Sequence, residues 1–233
     1  MASMQQQGTN FPAVAACLLL LVSPANAQER LCEGTDVTVA YKQDRNADLA
    51  CRAVSKATAL FRDCGIPAFT SPVHIDIVET LRPGHLGLYH RIRGDIAVLS
   101  PHLLQDLSPP DGAFAHLTSD AYFQSILVHE LAHAATINMP CPFTDCIAGV
   151  EYIAYAMQVL SLEPQAQSKF ASSEAIDHPV EADEINPMIL AMAPDRFAQK
   201  VWAHFSSLED QCAFMARIVD GEIVFDHDIY YYQ

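Results

Sequence analysis

At 233 residues the chain suits one domain, or one domain with two lobes, and is long enough to bury a sizeable core. Its 28 acidic against 13 basic residues leave a formal charge of −15. That balance excludes an extended nucleic-acid surface, because phosphate binding needs a basic patch, and it disfavours anionic membranes for the same reason.

Residues 11–22 (FPAVAACLLLLV) form a short apolar run followed by Ser23-Pro24-Ala25-Asn26-Ala27. Ala25-x-Ala27 is the small-x-small pattern of a signal-peptidase site, so residues 1–27 are expected to be a signal peptide, despite an n-region with no Lys or Arg. The run is too short to span a bilayer and nothing later is longer, so no membrane association is expected after its removal. A lipid-anchor reading at Cys17 fails on order, since most of the apolar run follows that cysteine. Every charged side chain lies beyond Ala27, so the mature chain keeps its −15. Six cysteines then remain: Cys32, Cys51, Cys64, Cys141, Cys146 and Cys212. An even set without a C-x-x-C pair suits three disulfides in an oxidising compartment rather than a zinc–thiolate site, and places the protein in the periplasm or outside the cell. Cys141 and Cys146 flank a turn-like stretch and can close a small loop; the three pairings of the other four stay open.

Residues 46–64 carry helical patterning (Leu49, Ala50, Ala53, Ala57, Leu60, Phe61) that Gly65 and Pro67 end. Val73 to Val78 alternates apolar and polar, as a half-buried strand does. Residues 86–92 and 95–100 flank Arg93-Gly94 and read as a hairpin. Residues 103–118 look like a loop, with Pro109-Pro110-Asp111-Gly112 as the clearest turn; His102 and His116 read as surface or packing histidines. A second helix follows, with Ser119 and Asp120 as N-cap oxygens, a stripe of Phe123, Ile126, Leu127, Leu131 and Ala134, and Pro140 as its stop.

That helix contains Val128-His129-Glu130-Leu131-Ala132-His133. His129 and His133, four apart, lie on one helical face and can share a metal ion. Glu130 is placed to hold a water on that ion rather than the ion itself. A chance occurrence is the alternative, but the surrounding positions are uncharged, as a buried metal helix needs. Residues 150–160 form another apolar helix with one carboxylate, Glu151. A Glu on a buried helix face is costly without a partner, and a divalent cation is an efficient one. Glu151 is therefore the candidate third ligand, against a solvated or hydrogen-bonded glutamate. Ala154 lets the two helices approach closely. Beyond Leu162 come two or three short helical segments. They include an acidic stretch at 174–184 and a helix at 195–206 holding Trp202. Asp177, His178, Asp226, His227 and Asp228 read as ordinary acidic loop or tail, with a second metal as the lesser alternative. Residues 229–232 are apolar enough to pack or pair as a strand.

HELAH, a loop and then a helix with Glu-x-x-Ala together resemble the gluzincin branch of the zincin metallopeptidases, over roughly residues 70–160. The metzincin extension is absent, Thr136 and Met139 standing where its glycine and histidine would be. The resemblance implies that His129, His133 and Glu151 bind Zn²⁺ and that Glu130 is the general base. It also implies an oxyanion-steadying Tyr or His; Tyr155, one turn after Glu151, is the leading candidate, with Tyr152 and the later histidines as alternatives. The implied fold is α+β and zincin-like: a small N-terminal sheet with the active-site helix (lobe 28–138) and a mostly helical C-terminal lobe (139–233). An edge strand would pair with an extended substrate, which brings Leu88, Tyr89 and His90 near the cleft. The expected function is zinc-dependent peptide hydrolysis on a peptide or protein substrate, without nucleic acid. The alternative is a zincin-fold binding protein with little or no hydrolytic activity.

Overall fold

The computed structural model describes residues 27–226 apart from 68, 108 and 173–175. The expected leader, save Ala27, therefore lies outside the described residues, as do Glu174, His227, Asp228 and the 229–232 tail. The chain folds as mixed α+β, a five-stranded sheet at the N-terminal end followed by a mostly helical second half.

The sheet starts with two strands that the sequence reading did not assign, β1 (Gln28–Leu31) and β2 (Val37–Tyr41), paired antiparallel. β2 buries Val37, Val39 and Tyr41 on one face, the period-2 pattern of a half-covered strand. Helix α1 (Asp44–Asp63) carries the chain across to β3 (Val73–Val78), parallel to β2. The small buried residues Ala47, Ala50, Ala53 and Ala57 let α1 lie close to its neighbours. Its end follows the expected glycine logic: Gly65 adopts φ 69°, and Ile66 N–H donates to Phe61 O at 2.8 Å.

The expected hairpin is β4 (Gly87–His90) with β5 (Asp95–Leu99), joined by a turn in which Gly94 takes φ 73°. β5 runs parallel to β3, so the order is β1-β2-β3-β5-β4 and β4 is an edge. The 103–118 loop needs correction: Pro101–Leu107 is helix α2, with proline in its first turn where no N–H is missed.

Helix α3 (Ser119–Ala135) packs on α1, the β4–β5 hairpin and α4 (Ile147–Leu160). Two boundary expectations fail. Thr118, rather than Ser119 or Asp120, is the N-cap, its hydroxyl accepting from Ala121 N–H at 3.3 Å. The helix also ends at Ala135, before Pro140; Thr136 caps it, its N–H and its Oγ1 both donating to Ala132 O, at 3.0 and 2.8 Å. After α4 come α5 (Pro164–Ala171), a 3₁₀ turn (Ala182–Glu184), α6 (Pro187–Met192), α7 (Pro194–Ser207) and α8 (Gln211–Val219). Pro164, Pro187 and Pro194 each open a helix.

Three disulfides join Cys32 to Cys51, Cys64 to Cys212 and Cys141 to Cys146. The last closes the expected loop between α3 and α4. Among the described residues, no helix is long and apolar enough to cross a membrane.

Candidate metal centre

Helix α3 is covered by α1, α2, α4 and the β4–β5 hairpin; Phe123, Leu127, Leu131 and Ala132 are fully enclosed. Within that shell, His129 and His133 share one face, and their Nε2 atoms stand 3.1 Å apart. Helix α4 brings Glu151 to them: its Oε2 lies 3.4 Å from His129 Nε2 and its Oε1 3.5 Å from His133 Nε2. Ala154, wholly buried, lies on the same helix one turn beyond Glu151, so the expected α3–α4 approach is present. Among the described residues, His129, His133 and Glu151 are the one group of three His, Cys, Asp or Glu whose ligand atoms converge, all within 4.8 Å of one another. This group can hold a metal ion.

The residues around the trio fix its geometry. Gln158, two turns after Glu151 on α4, places Oε1 3.1 Å from His129 Nδ1 and donates from Nε2 to Ser125 Oγ at 3.3 Å. With Nδ1–H given to Gln158, His129 Nε2 is left free for an ion. The N-terminus of α4 is held from far away in sequence. Buried Asp226 accepts from Ala148 N–H at 2.9 Å and from Gly149 N–H at 3.1 Å, satisfying donors that the helix start would otherwise strand. Neither Gln158 nor the capping role of Asp226 figured among the expected site residues. Gln158 had a legible signal, the i, i+7 spacing from Glu151; Asp226 had none nearby.

Burial dominates the electrostatics. It pushes the Glu130 carboxyl up to about 7, against the opposing charge of His129 and a hydrogen bond from Tyr89 N–H. It also takes His133 down to about 4. For His129, burial works downward, but the hydrogen bond and charge of Glu151 outweigh it and the net direction is up. For Glu151, burial works upward, and the bond to His129 with both histidine charges brings the net direction down. In the metal-free trio a proton is therefore held on His129, against Glu151, in preference to His133.

Glu130 sits beside the trio with Oε2 2.8 Å from Tyr89 N on β4. Tyr155 packs its ring edge-on against His129, centroids 4.6 Å apart. Burial raises its phenol, with Glu151 and Asp195 adding to the effect. Tyr152 is removed as an alternative: it is fully buried, its hydroxyl lies 2.8 Å from His204 Nδ1 and its ring stacks on Phe225. His204 goes with it into that core. His102 pairs with Glu79 and His116 Nε2 lies 3.0 Å from Ala166 O, away from the trio. His178 bonds Asp177 and Glu184, whose partner is Lys200.

A cleft of about 1330 Å³ opens over these groups. Leu88, Tyr89, Ile126, Glu130, Glu151 and Tyr155 are among its lining residues; of the expected edge-strand triplet, His90 is not. The His90 carbonyl instead accepts from Gly94 N–H in the hairpin turn.

A family model described as "Family of unknown function (DUF6639)" matches residues 37–228, from β2 to just past the helix-capping Asp226. No curated protein and no solved structure matches the chain.

Proposed function

The chain belongs to the DUF6639 family, and from its own residues we propose that it is an exported zinc metallopeptidase of zincin-like fold, acting on a peptide or protein substrate. The observation that carries this reading is the convergence of two imidazole nitrogens and one carboxylate, with a second buried carboxylate beside them in an open cleft. The two imidazole nitrogens stand 3.1 Å apart, different oxygens of Glu151 lie 3.4 and 3.5 Å from them, and one donor atom of each residue lies within 4.8 Å of the others, within reach of one ion whose bonds to His and Glu are ~2.0–2.1 Å long. Two neutral nitrogens and one carboxylate also match the donor set of catalytic zinc, which leaves a fourth position open. Three disulfides fit a periplasmic or secreted location.

When bound, zinc supplies Lewis-acid polarisation of a carbonyl and lowers the pKa of the attacking water. The protein does the rest. Glu130, whose carboxyl burial raises in the metal-free protein, takes the proton from the water and passes it to the leaving nitrogen. Gln158 fixes the His129 tautomer. Tyr155, its hydroxyl kept protonated by burial, is the donor for charge developing on the carbonyl oxygen. The edge strand β4 offers an extended peptide its outward main-chain groups other than the Tyr89 N–H, which Glu130 holds.

A second reading, a zincin-fold binding protein with little or no hydrolysis, uses the same metal trio and differs in what Glu130 does. Metal analysis combined with cleavage of a mixed peptide library separates the two. One zinc per chain and cleavage lost in Glu130→Gln supports the peptidase. Zinc bound without Glu130-dependent cleavage supports the binder, and no bound metal refutes both.

A further inference from the structure

We propose that the outer edge of β4 is a positioning clamp for the Glu130 carboxylate, in which Gly87 makes room for the side chain and the Tyr89 amide holds it; the role of Glu130 as base rests on the reading above. Tyr89 stands opposite Ile96 of β5, yet its N–H donates to Glu130 Oε2 at 2.8 Å. That N–H therefore points away from the ladder, toward α3. Two residues earlier, on the same side of the strand, a Cβ on Gly87 would stand 2.7 Å from Glu130 Oε1 and 2.8 Å from its Cγ. It would also stand 2.7 Å from Ile126 Cγ2.

The backbone does not demand glycine at this position. Among the described residues the positive-φ glycines are Gly34, Gly65, Gly84, Gly94 and Gly221, and glycine inside a strand weakens it and often marks a close approach. Here the approaching group is the carboxylate itself. Ile126 is buried and β-branched, hence stiff at χ1, so a methyl at 87 displaces the Glu130 side chain and also pushes β4 off Ile126. In the native arrangement one carboxylate oxygen lies against the bare Cα of Gly87 and the other on the Tyr89 N–H. Gly87 is thus a positioning residue acting through Glu130, and displacement of a reacting group by about 1 Å is enough to lose on the order of 10²-fold in rate.

The test compares the zinc-loaded wild-type chain with Gly87→Ala and Glu130→Ala. Amide hydrogen exchange at Tyr89 is expected to be about tenfold or more faster in both variants, while the Ile96 and Val98 amides of β5 keep their protection. Gly87→Ala is expected to retain one zinc per chain and to lose roughly 10²-fold in kcat, with KM within about twofold. A Tyr89 amide that exchanges equally in all three proteins overturns the clamp, as does a Gly87→Ala enzyme with wild-type kcat. If Gly87→Ala does not fold, the Glu130→Ala exchange arm still decides. If the wild-type chain cleaves nothing, the peptidase reading fails by itself and the exchange arm still judges the clamp.

Discussion

Replacing Glu130 by Gln in the metal-free protein probes the burial of that carboxylate without reference to activity. Glu130 is 7% exposed, and burial lifts its carboxyl from an ordinary 4.5 to about 7. A carboxyl raised in the folded state binds its proton more tightly there than in the unfolded chain. Its contribution to stability is therefore fully present below 4.5 and is lost as the pH rises through about 7. At about 1.4 kcal/mol for each pKa step, ionising Glu130 inside the fold costs roughly 3 kcal/mol. Gln never ionises, and its amide oxygen can still accept from Tyr89 N–H. Any packing penalty of the Gln is independent of pH, so the pH-dependent part of the difference reports the Glu130 charge together with its coupling to His129. Urea unfolding in EDTA with disulfides intact should show Glu130→Gln gaining roughly 3 kcal/mol on wild type between about pH 4.5 and about pH 8.5. A difference that stays flat across that range refutes the claim that a buried carboxylate is being ionised at a cost.

Four further outcomes are expected. Zinc affinity, measured by competition with a chromophoric chelator, should fall as pH drops through a value above 6.5, because His129 is shifted upward and must lose its proton to bind. Gln158→Leu should weaken zinc about 10–100-fold in the same assay, since it removes the acceptor that sets the His129 tautomer. Tyr155→Phe should retain one zinc by elemental analysis while kcat on a cleaved peptide drops on the order of 10²-fold; an unchanged kcat removes Tyr155 from the chemistry. Asp226→Ala strips the start of α4 of its acceptor and should lower stability by about 1–2 kcal/mol in urea unfolding.

The parts of this molecule that could be read from sequence were those with a local period or spacing. His129 and His133 at i, i+4, the alternation of Val73 to Val78, the hairpin around Gly94 and the Ala-rich face of α1 all follow from one element's own geometry. β2 had its alternation too, in Val37, Val39 and Tyr41, but five residues beside a cysteine-bearing turn gave it little length to stand out. α2 stayed hidden behind Pro101, which reads as a loop until it is seen as a helix's first turn. The missed site residues are those whose partners come from elsewhere in the fold. Nothing near Asp226 says that it will cap a helix almost 80 residues back, and Gly87 looks like a turn glycine until α3 is laid against it. Tyr152 and Tyr155, three apart, were separable only once α4 had one side toward the trio and another toward His204 and Phe225.

The Cys64–Cys212 bond spans 148 residues, from the end of α1 to the first turn of α8, and His129, His133 and Glu151 all lie inside the ring it closes. A single backbone nick anywhere in that interval leaves both fragments covalently tethered. Such a nicked molecule would run at full mass on a non-reducing gel and split only when thiol is added. Damage that would separate the pieces of an uncrosslinked protein therefore leaves this one with α3 and α4 still bound to a common frame.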